Sequence, residues 1–238
     1  MKTQDMNKYF LPDSYEPNIV NHTIETEQNN YWNKKRLKKA ELYQWSTYDI
    51  AKKIFLRKRY NSVIDIGCGP GIKLMKNFSR ISNNIMGIDQ ESAINYCKNK
   101  YHKGTFIIDN IEHSKKTIKS KMDLIICCDV IEHLHDPDLL LKYIKMYAHE
   151  KSTIVISTPE RISLLGRSAT KPSQKEHIRE WSQKEFSNYL KNNGFNIIEH
   201  KKMPSLKLSI LSIEAIEFFS KLMRNKLFTN QVVICNIK

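Results

Sequence analysis

The stretch Ser62-Val63-Ile64-Asp65-Ile66-Gly67-Cys68-Gly69-Pro70-Gly71 decides the fold of this 238-residue chain. Its first five residues read as a buried strand, its glycines as a turn, and the spacing that follows predicts a helix over 71–80. Glycine lets backbone approach a ligand closely, and free amides at a helix start favour anionic groups. Outward from this turn, short apolar runs near 84–88, 104–108, 123–128 and 152–157 predict further strands. Helical spacing near 91–100 and 137–149 predicts helices between them. Such alternation implies an α/β, doubly wound, mostly parallel sheet with helices on both faces. A helix near 182–193 stops at Asn192-Asn193-Gly194, and strands over 195–199 and 231–236 bring the sheet to seven.

The length suits one α/β domain. Residues 1–58 read as an arm and helical extension packed on the core, and 59–238 as the α/β domain proper. Apolar residues recur near helical spacing from Lys34 to Phe55 (Leu37, Ala40, Leu42, Trp45, Tyr48, Ala51, Ile54), which predicts one helix or a helical pair. Two segments break the regular alternation. Residues 159–181 follow the fifth strand, where open α/β sheets bind their ligands, and read as a lid. Residues 204–228 read as an amphipathic helix that covers the sheet, joins a second copy or touches a membrane surface.

The five cysteines form no C-x-x-C pair and fall mostly in strands, so neither disulfides nor a cysteine zinc site is expected. No apolar run approaches the roughly 20 residues of a membrane-spanning helix, and the first ten residues are too polar for a secretory signal. The expected location is the cytoplasm. A net charge of +14 attracts anions in general, but the basic residues are spread over several segments. Lys34, Lys35, Arg36, Lys38 and Lys39 make a candidate anion patch, though such a run is more often a solvated face. A specific nucleic-acid partner is not expected, and the oligomeric state stays open.

A dinucleotide fingerprint G-x-G-x-x-G would need glycine where this chain has Ile72. An acid two places before G-x-G-x-G instead resembles the first motif of class I S-adenosylmethionine-dependent methyltransferases. The resemblance implies a Rossmann-like methyltransferase fold with S-adenosylmethionine as cofactor. Gly67, Gly69 and Gly71 would wrap its amino-acid end, and Asp65 would meet its ammonium directly or through water. The second strand ends at Asp89, placed to accept both ribose hydroxyls. Asp109 ends the third strand and resembles the acceptor for the adenine amino group, with Asn110 and Ile111 lining the base. Asp129, after the fourth strand, completes the cofactor set.

The run Asp129-Val130-Ile131-Glu132-His133-Leu134-His135-Asp136-Pro137 resembles a D/E-V-I-E-H-L-x-D-P segment of many class I enzymes. Methyl transfer to oxygen must align the acceptor and remove its proton, which an imidazole near neutral pH can do. His133 and His177 are the candidate catalytic residues, and Arg161 and Arg179 the candidate substrate ligands. Five fragments together resemble bacterial methyltransferases encoded with surface-polysaccharide glycosyltransferases. They are Tyr9, Leu11, Pro12 and Tyr15; the Asp129–Pro137 run; Ser157-Thr158-Pro159 with Arg161; His177 with Arg179-Glu180-Trp181-Ser182; and Thr229 with Gln231-Val232-Val233. That resemblance implies a small-molecule or glycan acceptor, methylated on a hydroxyl; no metal is expected. Where the group commonly carries G-P-P-x-N, this chain reads Thr170-Lys171-Pro172-Ser173-Gln174. A rival resemblance, to RNA 2′-O-methyltransferases, implies a divalent metal held by Asp129, Glu132, His133 and His177.

Overall fold

The computed structural model describes residues 7–19, 32–114, 120–205 and 228–238. Strand β1 (Ser62–Ile66) is buried along its whole length because helices cover both of its faces. Side chains alternate across a strand, so Val63 points to one layer and Ile64 and Ile66 to the other. Around it lie β2 (Asn84–Asp89), β3 (Thr105–Ile108), β4 (Leu124–Cys128), β5 (Thr153–Pro159), β6 (Phe195–Met203) and β7 (Asn230–Ile237). The sheet order is β3-β2-β1-β4-β5-β7-β6, with β7 antiparallel to both of its neighbours. The chain thus folds as the doubly wound, mostly parallel seven-stranded sheet that the alternation predicts.

Two apolar layers sandwich this sheet. One gathers α2 (Trp45–Arg57), α3 (Ile72–Phe78) and α4 (Glu91–Lys100) through Ala51, Phe55, Leu74, Phe78, Ile94 and Cys97. The other gathers α5 (Pro137–Tyr147) and α7 (Gln183–Asn192), together with Tyr9, Leu11 and Tyr15 of the N-terminal arm. The leading segment is a helical pair, α1 (Lys34–Ala40) and α2, separated where Gln44 takes a left-handed conformation (φ 67°). Helix α1 buries no residue fully, and only Leu37 and Ala40 are half-buried.

After β5 comes a short helix that the sequence does not announce, α6 (Arg161–Leu165), its amides capped by the Glu160 carboxylate through Ser163. Glu160 and Trp181 pair as an isolated parallel bridge, drawing together the two ends of the segment read as a lid. The amphipathic helix expected within 204–228 lies almost wholly outside the described residues. No described helix is long and apolar enough to cross a membrane.

Candidate active site

At the end of β1 the backbone turns through Gly67 (φ 80°), where a Cβ would lie 2.2 Å from Val130 Cγ2. Only glycine fits there. At Gly69 (φ 53°) a Cβ would approach the Trp32 ring to 3.3 Å, so the turn is covered by the chain that enters α1. Asp65 sits beneath it, fully buried. Its Oδ2 accepts a hydrogen bond from the Tyr48 hydroxyl at 2.7 Å, while Oδ1 is buried and finds no partner among the described residues. Burial pushes this carboxyl up to about 7, against the pull of the Tyr48 hydroxyl and the Lys73 ammonium.

Parallel register carries the next two acids to the same end of the sheet. Asp89 accepts from the backbone N–H of Gly69 with one oxygen and of Gln90 with the other, both at 2.7 Å. Burial raises its pKa and these two amides draw it back down. Each oxygen keeps a second lone pair for a further donor. Asp109 is partly buried, and its Oδ2 accepts from Ser114 Oγ and the Tyr143 hydroxyl. Asn110 is exposed and caps Glu112 N, while Ile111 packs on the core edge. A glycine cradle, a buried orphan carboxylate oxygen and two acids along one sheet end fit a ligand with an ammonium group and a nucleoside.

The acceptor side differs from the sequence expectation in two ways. Asp129 takes a left-handed conformation (φ 52°), and Ser157 Oγ, Asn230 Nδ2 and Gln44 Nε2 all donate to its carboxylate. It braces β4, β7 and the entry to α2. The side chains that converge are Glu132, His133 and His177, whose ligating atoms lie within 4.8 Å of one another; Asp129 stands outside that group. Arg161 and Arg179 are both fully buried. Arg161 donates to Ala169 O and pairs with Glu185, and Arg179 donates to Leu134 O and His135 O. Both act as internal braces of the lid, because these bonds aim them at protein.

The two imidazoles meet edge to face at 4.7 Å between ring centroids. His133 Nδ1 lies 2.9 Å from Glu176 O, and a carbonyl only accepts, so Nδ1 carries the proton. His177 Nδ1 faces Glu180 Oε1 in the same sense. Nε2 of each ring is thereby the nitrogen left for another partner. Burial and the neighbouring His177 lower His133 to about 4, so it is neutral at pH 7. Glu132 is fully buried; Oε2 accepts from Thr158 Oγ1, and Oε1 has no partner among the described residues. Burial and the nearby Asp129 raise its pKa well above the carboxylate range.

The lid that presents His177 is anchored from several directions. Glu132 O accepts from Ile178 N, Tyr15 Oη accepts from Glu180 N, and Tyr9 O accepts from Trp181 Nε1. Gln231 Nε2 donates to both Trp181 O and Pro159 O. The five sequence fragments, widely separated along the chain, thus form one structural unit. Tyr48 and Gln44 escape the sequence reading, since on a helical face Tyr48 registers only as an apolar position.

An open α/β sheet whose last strand is reversed, with a glycine turn after β1 and acids closing β1 to β3, is the class I methyltransferase arrangement. The family model for the methyltransferase domain matches residues 33–200, and the chain belongs to that family. It is an S-adenosylmethionine-dependent methyltransferase. No curated protein matches it. Among solved structures, a chain of the complex between the Haloferax volcanii Trm112 methyltransferase activator and a methyltransferase is 14% identical, with a TM-score of 0.66, covering 92% of this chain and 99% of that one. An S-adenosylmethionine-dependent methyltransferase from Clostridium acetobutylicum is 16% identical (TM-score 0.61, 85% and 95% covered). The plantazolicin methyltransferase BamL, solved with a triazolic desmethylPZN analog and SAH, is 20% identical (TM-score 0.60, 90% and 95% covered).

Proposed function

We propose that this enzyme moves the methyl group of S-adenosylmethionine to a hydroxyl of a saccharide or related small metabolite. Gly67, Gly69 and Gly71 cradle the amino-acid end of the cofactor, and Asp65 Oδ1 meets its ammonium. Asp89 accepts from the ribose hydroxyls, and Asp109, Asn110 and Ile111 border the base. The observation that carries the chemistry is the convergence of His133, His177 and Glu132 beyond β4 and β5. A hydroxyl held there attacks the methyl carbon in line. The C–O bond forms as the C–S bond breaks, sulfur keeps the electron pair, and the hydroxyl proton passes to an imidazole Nε2. Support for a saccharide acceptor comes from the five fragments: the motifs of the polysaccharide-associated group are the residues that build this lid.

A second reading is favoured by the same three side chains. Two imidazole nitrogens and a buried glutamate oxygen share one space, and each imidazole is fixed from behind by an acceptor, the arrangement that outer partners give to metal ligands. A divalent cation such as Mn or Mg would suit these donors and would hold the acceptor hydroxyl, a ribose 2′-hydroxyl of RNA included. Turnover with and without chelator separates the readings. In the first, His133→Ala or His177→Ala lowers kcat by about 10² to 10⁴ with little change in SAH affinity, and chelator has no effect. Full activity in both single variants sinks the base assignment. Activity that chelator abolishes and Mn or Mg restores establishes the second reading instead.

A further inference from the structure

We propose that Tyr48, on the helix before the nucleotide-binding sheet, is a positioning residue for the cofactor: its hydroxyl holds Asp65 Oδ2 so that Oδ1 faces the cofactor ammonium. The inference rests on the assignment of Asp65 to that ammonium. Tyr48 is 1% exposed, and its hydroxyl bonds no other described group. A buried carboxylate oxygen without a partner is costly, and a ligand donor that completes it removes that cost. Tyr48 fixes which oxygen is left open, because its hydroxyl occupies the other.

The same bond sets how readily Asp65 ionises. Asp65 is faced by Tyr48 from α2, Lys73 from α3, Asp89 from β2, Cys127 and Cys128 from β4, and Cys68 from the glycine turn. Lys73 Nζ is itself tied to Ala40 O and lies 5.6 Å from the centre of the Tyr48 ring. Helix α2 therefore brings both the tyrosine hydroxyl and the lysine's surroundings to bear on one carboxyl. The thiols are neutral: burial raises Cys127 and Cys128, and the hydrogen bond with Cys97 together with burial raises Cys68, so Asp89 is the remaining like charge. Removing the hydroxyl takes away a donor that favours the carboxylate, so the protonated, non-binding form extends to higher pH.

The test is SAH affinity by calorimetry from about pH 5.5 to 8.5 for wild type, Tyr48→Phe and Asp65→Asn, with thermal melts to verify folding. We expect wild-type affinity to fall as pH drops through the neutral range. In Tyr48→Phe that fall moves to higher pH, with roughly tenfold weaker binding at pH 7 and near recovery at the alkaline end. A Tyr48→Phe curve parallel to wild type, whether equal or uniformly weaker, overturns the proposal. Asp65→Asn binding SAH as tightly as wild type overturns the ammonium assignment beneath it. Should Tyr48→Phe not fold, the wild-type curve decides: affinity flat across the range overturns the inference.

Discussion

At the residue scale, the buried charge on Asp65 works against the fold. Its pKa is near 3.8 in an unfolded chain and about 7 in the folded one, so folding binds a proton between these values. The sign follows: a raised carboxyl makes stability fall as pH climbs from about 4 to about 7, with the full loss present above that. Without cofactor, wild type should lose roughly 2 to 4 kcal/mol between about pH 4.5 and pH 8 that Asp65→Asn does not lose. Urea midpoints of both proteins at the two pH values measure it, and equal losses would refute it. The glycine turn and the three acids are legible in the sequence because strand ends place them with no knowledge of packing. Arg161 and Arg179 are not legible in the same way. Whether a guanidinium meets substrate or a carbonyl depends on partners such as Glu185 and Leu134, far away along the chain.

At the element scale, local rules carry most of the architecture. Strands β1, β2, β4 and β5 fall where apolar runs predict them, because buried parallel strands are short and uninterrupted. The break between α1 and α2 is not announced by glycine or proline; Gln44 adopts the left-handed conformation while its side chain reaches Asp129. That contact is long-range, and no local pattern contains it. Helix α7 begins with a capping box in which Ser182 and Glu185 bond each other's backbone N–H. Ser182→Ala should cost about 1 kcal/mol of stability. Glu185→Ala also strips buried Arg161 of its carboxylate, and should cost about 3 kcal/mol or more. Chemical denaturation of the two variants checks the order, and equal costs would show that the Arg161 pair adds nothing.

At the scale of the whole molecule, the N-terminal arm and the segment after β5 form one mechanical unit. Tyr9 O and the Tyr15 hydroxyl receive Trp181 and Glu180, and Glu16 N and Asn18 N donate to Thr170 O and Ile178 O. Deleting residues 1–18 should leave SAH affinity within about threefold, since the residues proposed to hold the cofactor lie on the ends of β1 to β3, while hydrogen exchange over 168–181 rises sharply. Unchanged exchange would show that the lid stands alone. The order of the strands has its own consequence for how the chain is made. β6 leaves the ribosome before β7, yet among the described strands β7 alone joins it to the sheet. During synthesis β6 can dock on α7 but waits for its strand partner. Its half-exposed sequence Phe195–Met203 with Glu199, Lys201 and Lys202 keeps charge along that waiting edge, which discourages pairing with another chain until β7 arrives.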